Sequence, residues 1–310
     1  MAVLLSTRRE AMADWRAALL AVDPTLEIRM FPEAGDPASI EAAVVWTAHD
    51  MAELRRYPNL RLIVSMGAGV DHLLRPPGPP PGIPVARLVD RMLTTQMGEW
   101  VLLNVLRFHR QDPDYRAQQR DRVWQELPAP VTAETPVGFL GLGELGTHAA
   151  GLLRGLGFPV LGWSRRPKQV PGVEGFHGAD GLAAMAARSR ILVCLLPLTP
   201  ETRGLVDARL LGRLPRGAFL VNGARGGHVV DADLLAALDS GQVAGAALDV
   251  FTPEPLTPAH PYWAHPRVVM TPHAASITIP ASAAPQVVEN LHRARRGEAL
   301  LNLVDFAAGY

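Results

Sequence analysis

The 310-residue chain has a single cysteine, Cys194, and a single lysine, Lys168; its other twenty-nine basic residues are arginines. One cysteine excludes an intrachain disulfide and any cysteine-cage metal site, and it fits a reducing, cytoplasmic setting. One lysine removes Schiff-base chemistry everywhere but at position 168, and the arginine excess reads as a coding bias. Net charge is missing too. Thirty basic residues balance thirty acidic ones, so the chain has no basic field with which to grip nucleic acid. The longest stretch free of formal charge, 268–288, is broken by Pro272, Pro280 and Pro285, which rules it out as a membrane span. The N-terminal run places its apolar residues before its charges, the reverse of a secretory signal.

What is present suits a folded α/β protein of about two domains, at roughly 100–200 residues each. Hydrophobic residues make up 48% of the chain, enough for a sizeable core. Short apolar runs alternate with longer helical patterns, the signature of parallel sheets. Strands are expected at 2–6, 26–31, 43–46, 61–65 and 85–88, with a helix at 9–22. A proline-rich loop, 76–84, cannot be helix or central strand. A long amphipathic pattern at 92–110 and a polar stretch to 125 precede a second series, with strands expected at 136–140, 159–163, 191–196, 218–222, 245–250 and 268–271. A last helical pattern covers 282–296.

The strand expected at 136–140 runs into Gly141-Leu142-Gly143-Glu144-Leu145-Gly146 and then a helical pattern. Strand, GxGxxG and helix together make a dinucleotide-binding signal. The first glycine serves the tight turn and the second lets backbone approach a pyrophosphate. The third permits close packing of helix on strand, and the helix N-terminus faces the phosphates. NAD-preferring sites usually carry a carboxylate about 20 residues further on. Here the run is Trp163-Ser164-Arg165-Arg166-Pro167-Lys168, a hydroxyl with three cations and no acid. A guanidinium can fork two hydrogen bonds to a 2′-phosphate, so the sequence predicts NADPH (NADP) over NADH.

Three later segments place polar groups at strand ends, where open α/β sheets bind ligands. They are Asn222-Gly223-Ala224-Arg225-Gly226-Gly227, Leu248-Asp249-Val250-Phe251 with Pro253-Glu254-Pro255-Leu256, and Thr271-Pro272-His273. With the glycine loop, these runs resemble the D-isomer-specific 2-hydroxyacid dehydrogenases in order and spacing, over essentially the whole chain. Val45-Trp46, the run Met66-Gly67-Ala68-Gly69-Val70-Asp71, the Trp-Ser-Arg run and the ending Gly309-Tyr310 make it most similar to the bacterial glyoxylate/hydroxypyruvate reductases of the A type.

The resemblance implies two doubly wound parallel-sheet domains, one of Rossmann and one of flavodoxin-like type. Residues 1–97 and 277–310 would form a discontinuous substrate domain and 98–276 the dinucleotide domain. It implies catalysis by Arg225, Glu254 and His273. Arg225 would hold the substrate carboxylate, and His273 would donate the proton, with Glu254 favouring its protonated form. Cofactor contacts would add Leu196, Pro197, Thr202, Ala224 and Asp249 to the glycine loop and the basic turn. Substrate contacts would be Trp46, Gly69 and Val70 beside Arg225 and His273. Arg87 would approach the substrate, Met97 would cover the nicotinamide, and Trp124 would reach a homodimer partner. No metal is implied: His260 and His265 lie in a proline-rich loop without a matching carboxylate pattern. His49, His72, His109, His148, His177 and His292 read as ordinary surface or core residues. The expected activity is NADPH-dependent reduction of small 2-keto acids, glyoxylate and hydroxypyruvate, to D-2-hydroxy acids. Two other readings fit the same motifs: a reductase of larger 2-keto acids, or a non-enzymatic nicotinamide-sensing corepressor.

Overall fold

Twelve strands form two all-parallel sheets in a computed structural model that describes residues 2–7, 9–46 and 50–309. His49 and Tyr310 lie outside the described residues. The chain divides into two units, Met1–Leu93 with Ile277–Tyr310, and Thr94–Ser276.

The first unit carries β1 (Ala2–Ser6), β2 (Glu27–Met30), β3 (Ile40–Val45), β4 (Leu62–Ser65) and β5 (Val85–Ala86) in the order β2-β1-β3-β4-β5. This order reverses direction between β1 and β3, the flavodoxin-like arrangement. β1, β3 and β4 are apolar almost throughout because both faces are covered. The C-terminal helix Pro280–Arg296 belongs to this unit through its own apolar stripe. Ala283, Ala284, Val287 and Leu291 pack with Trp15 and Leu19 of helix Arg9–Val22 in one buried cluster. Burial of Leu19, Val287 and Leu291 stabilises by about 1.5–3 kcal/mol each. His292 Nε2 lies 2.8 Å from Asp23 Oδ2 at the end of that contact.

The second unit carries β6 (Val137–Leu140), β7 (Val160–Ser164), β8 (Glu174–His177), β9 (Ile191–Cys194), β10 (Ala218–Asn222), β11 (Val243–Leu248) and β12 (Val268–Met270). Their order is β12-β11-β10-β9-β6-β7-β8, the Rossmann order extended by one strand, with its switch point between β6 and β9. Alternate residues feed two cores. Leu140, Leu192 and Cys194 enter one; Phe139, Val193 and Val221 enter the other.

Helix Arg91–His109 buries Met97, Val101, Val105 and Phe108, spaced four, four and three, in the second of these cores. The division of the chain falls inside this helix, between Leu93 and Thr94, because Leu93 packs in the first unit. Met97 thus lies in the second unit, where a Cβ on Gly223 would sit 3.0 Å from its sulfur. Elsewhere β3 starts at Ile40, earlier than the sequence suggests, and β5 is only two residues long.

Candidate active site

Steric detail separates the three glycines of the phosphate loop. Gly141 has φ +98°, and a Cβ there would lie 2.9 Å from the Leu195 carbonyl oxygen. At Gly146 a Cβ would lie 2.1 Å from the carbonyl oxygen of Gly141, so only glycine lets helix Glu144–Gly155 pack this closely. Gly143 differs: a Cβ would meet nothing within 4 Å. It caps the helix with no side-chain hydrogen bond and, like Glu144, is exposed. Leu145 is half-buried, and Leu142 is buried against Gly162 of β7. The loop therefore leaves an open space before a helix N-terminus, the shape a diphosphate fills.

Beyond β7, Trp163 is buried and its Nε1 donates to the Gly178 carbonyl at 2.8 Å. Ser164 Oγ donates to the Arg166 carbonyl at 2.6 Å, which curls the turn and leaves Arg165 and Arg166 exposed. Lys168, exposed as well, donates through Nζ to the Leu142 carbonyl. A groove of about 650 Å³, lined by Lys168, Val170, Phe176 and His177 among others, opens beside this turn and touches none of Arg225, Glu254 or His273. One acidic neighbour escaped the sequence reading. Glu201 has its carboxyl held below the usual range by a hydrogen bond from Thr199, and the charge of Arg165 adds to the effect. In the same loop Thr202 Oγ1 donates to the Pro197 carbonyl at 2.7 Å and accepts from the Thr199 N–H, while Leu196 and Pro197 are half-buried.

The polar groups after β10, β11 and β12 are built by buried side chains. Asn222 is fully buried; its Oδ1 accepts from the Ala224 N–H at 3.1 Å and its Nδ2 donates to the Arg225 carbonyl at 3.0 Å. That Asx turn buries Ala224 and brings Arg225 out in extended backbone, φ −146°. Gly226 is obligatory, since a Cβ would lie 2.1 Å from the Phe251 carbonyl carbon. His228, which the sequence reading left unassigned, is buried with Nδ1 3.1 Å from the Arg225 carbonyl and Nε2 3.2 Å from the Pro197 carbonyl. It ties the arginine turn to the loop after β9.

Asp249, expected to contact cofactor, is 1% exposed and its carboxylate is spent on the protein. Oδ1 accepts from Thr271 Oγ1 at 2.6 Å, the Ala274 N–H at 2.8 Å and the Ala275 N–H at 3.0 Å, and Oδ2 also accepts from Ala275. The Asp249 carbonyl accepts from the His273 N–H at 2.7 Å. Asp249 thus organises the turn on which His273 sits at φ +53°, a left-handed conformation uncommon for histidine. Trp100 Nε1 donates to Thr271 Oγ1 at 3.1 Å and steadies the same turn.

Glu254 and His273 meet: Oε2 lies 2.8 Å from Nδ1, while Oε1 accepts from the Phe251 N–H at 2.8 Å. Burial pushes the Glu254 carboxyl up. The His273 bond, the Phe251 N–H and the charges of His273 and Arg225 outweigh it, leaving the carboxyl below its ordinary value. Both side chains remain about one-third exposed. With Nδ1 engaged, Nε2 is the ring nitrogen left for a reactant.

In the first unit, Trp46 and Gly67 lie against each other, since a Cβ on Gly67 would sit 2.4 Å from the indole ring. His72, read from sequence as an ordinary residue, has Nε2 2.7 Å from the Trp46 carbonyl and so helps hold that residue. Gly69 is half-buried, and the Val70 side chain is buried in the core, which leaves only its backbone for a ligand. Arg87 is half-buried, its backbone bonded to Asn302 and Gln286. Trp124 is wholly exposed. His260 accepts from the Tyr262 N–H and faces Asp231; His265 accepts from the Arg267 N–H and faces Asp239. Among the described residues, no three histidine, cysteine or acidic side chains are grouped to hold a metal ion. None of their helices is long and apolar enough to cross a membrane.

A Rossmann sheet carrying a glycine loop, with a flavodoxin-like sheet beside it in the chain, defines a two-domain α/β enzyme of the nicotinamide-dependent oxidoreductase class. The NAD binding domain of the D-isomer specific 2-hydroxyacid dehydrogenases matches residues 102–275. A D-isomer specific 2-hydroxyacid dehydrogenase from Xanthobacter autotrophicus Py2, solved with NADPH and MES, is 45% identical, with a TM-score of 0.95 over 100% of this chain and 99% of that one. The NADPH-dependent glyoxylate/hydroxypyruvate reductase of Sinorhizobium meliloti, solved with NADP and sulfate, is 39% identical over 100% of both chains, with a TM-score of 0.92. A probable 2-hydroxyacid dehydrogenase from Rhizobium etli CFN 42, solved with NADP, HEPES and L(+)-tartaric acid, is 38% identical over 100% of this chain and 99% of that one, with a TM-score of 0.91. The chain belongs to the D-isomer specific 2-hydroxyacid dehydrogenase family.

Proposed function

We propose that the protein reduces small 2-keto acids, glyoxylate and hydroxypyruvate, to D-2-hydroxy acids at the expense of NADPH. The observation that carries this reading is the 2.8 Å Glu254–His273 pair, close enough to Arg225 for its charge to act on Glu254. The open space at Gly143 and the exposed guanidinium groups of Arg165 and Arg166 fit a dinucleotide bearing a 2′-phosphate. A reduced nicotinamide supplies the hydride when bound.

The chain's own groups do the rest. Arg225 pairs its planar guanidinium with the substrate carboxylate and turns the keto group toward His273. His273 gives its Nε2 proton to the keto oxygen as the carbon accepts hydride, so that oxygen leaves as a hydroxyl rather than an alkoxide while the carboxylate keeps its charge. Glu254 keeps its charge and stabilises the protonated imidazole before transfer; the histidine then regains a proton from solvent. Within the first unit, the turn 66–70 offers backbone N–H groups suited to a carboxylate, with Trp46 packed on Gly67 beside it. Resemblance to the Sinorhizobium meliloti enzyme supports glyoxylate and hydroxypyruvate as the substrates.

We further assign a homodimer, supported by the exposed apolar residues Val123, Trp124 and Val131 on one segment. A light-scattering mass of one subunit would contradict it. The single cysteine supports a cytoplasmic location.

Initial rates of reduced-nicotinamide oxidation with glyoxylate, hydroxypyruvate, pyruvate and phenylpyruvate, each with NADPH and NADH, test the proposal. The highest kcat/KM is expected for the first two acids with NADPH. A preference for phenylpyruvate would move the substrate class, and a preference for NADH would overturn the 2′-phosphate assignment. Failure of all four acids in protein that binds NADPH would favour a sensor.

A further inference from the structure

In a chain that uses arginine at every other basic position, a merely solvated cation at 168 would be arginine as well; the one lysine stands here. Lys168 is exposed like Arg165 and Arg166, yet its ammonium donates to the carbonyl of Leu142, between the first two glycines of the phosphate loop. That carbonyl also accepts from Thr147 Oγ1, at 3.0 Å, out of helix Glu144–Gly155. A carbonyl oxygen has two lone pairs, so Thr147 and Lys168 together satisfy it fully.

The consequence lies on the other side of the same peptide. The carbonyl of Leu142 and the N–H of Gly143 share one planar trans unit and point in opposite directions. Holding the oxygen therefore fixes where the N–H points. Nothing lies within 4 Å of a Cβ at Gly143, and no side chain caps the helix there. A cation on the oxygen also polarises the peptide and strengthens the N–H as a donor. The Leu142 side chain, seated on Gly162, holds the peptide from a third direction. A compact ammonium meets a single carbonyl at close range, whereas a guanidinium fork is built for two-oxygen partners.

We propose that Lys168 is a positioning residue that, with Thr147, clamps the Leu142–Gly143 peptide so that the Gly143 N–H faces the nucleotide diphosphate. This rests on the dinucleotide reading above but not on the choice between NADPH and NADH. Lys168 acts on the part of the nucleotide common to both, and discrimination is left to the arginine turn.

The test compares Lys168→Gln, Lys168→Arg and Thr147→Val with the parent protein. Dissociation constants are measured for NADPH, NADH and ADP-ribose, and the Gly143 amide resonance is recorded without nucleotide. Lys168→Gln is expected to weaken all three ligands by a common factor of about ten, the worth of one charge-assisted hydrogen bond. The effect should fall on the cofactor KM, with kcat at saturation within about twofold and Tm nearly unchanged. Thr147→Val should act in the same sense with a smaller factor. Lys168→Arg should restore less than the full affinity, and the Gly143 amide should shift in every variant. Loss confined to NADPH would make Lys168 a 2′-phosphate ligand and overturn the proposal. So would unchanged affinity for all three, or an unmoved Gly143 amide. If the parent protein bound none of the nucleotides, the dinucleotide reading itself would fail, and the amide shift would still decide the clamp.

Discussion

Replacing Asp249 by asparagine removes one charge while keeping the side chain's shape, at a position where burial is nearly complete. Three donors depend on that carboxylate: the Thr271 hydroxyl and the N–H groups of Ala274 and Ala275. An asparagine can keep Oδ1 where all three converge and turn its amide to the Oδ2 side, where only Ala275 has a second bond. The loss is then the difference between charged and neutral acceptors, about 1 kcal/mol for each of three donors, or about 3 kcal/mol in all. For a unit of the size of Thr94–Ser276, each kcal/mol lowers Tm by about 2–4 °C, so a fall of about 6–12 °C is expected by calorimetry. Because this carboxylate holds the turn beneath His273, kcat should fall by more than tenfold at temperatures where the variant is still folded. Faster hydrogen exchange at Ala274 and Ala275 would locate the damage. A Tm within about 2 °C of the parent, with kcat intact, would refute the claim that Asp249 builds the turn.

Other expectations follow from single contacts. Gly226→Ala drives a methyl into the backbone of Phe251; it should cost about 1–3 kcal/mol of stability and raise the KM for keto acid by displacing Arg225, measurable by denaturant titration and kinetics. Glu254, held below its ordinary value of 4.5, stays ionised until pH falls through that lowered value; what its pairing with His273 contributes is complete above 4.5 and lost only below. The acid limb of kcat/KM should therefore lie below 4.5, and Glu254→Gln should abolish that limb while lowering kcat roughly tenfold or more. Cys194 is fully buried and its thiol is pushed up to about 12, so a disulfide reagent should leave the folded protein unlabelled at neutral pH and titrate one thiol after denaturation.

Elements with two covered faces were legible in the sequence, because their apolar runs have no other home. β1 and β10 have the expected bounds, and β6, β7, β9 and β12 differ at their ends by one or two residues. The edge of the second sheet was not legible. β8 is polar or half-exposed along its length and offers no alternation, so it and helix Gly178–Arg188 went unread. Helix Asp112–Asp121 buries nothing and reads as a polar stretch; it is bounded by left-handed Gln111 and Arg122 rather than by an apolar stripe. At the site, Arg225, Glu254 and His273 stood out because each follows a strand. His228, Glu201 and the bonds of Asp249 and Lys168 did not, because their roles depend on carbonyls and amides brought near by the fold.

The most direct test of the account is turnover of glyoxylate with NADPH by His273→Ala alongside a measurement of NADPH affinity. Loss of the proton donor should lower kcat by about 10²–10⁴-fold while the dissociation constant for NADPH stays within about threefold, since His273 lies apart in sequence from the phosphate loop and the basic turn. Near-parental turnover in a variant that binds NADPH normally would contradict the assignment of His273 as the acid and, with it, the mechanism built on Arg225 and Glu254.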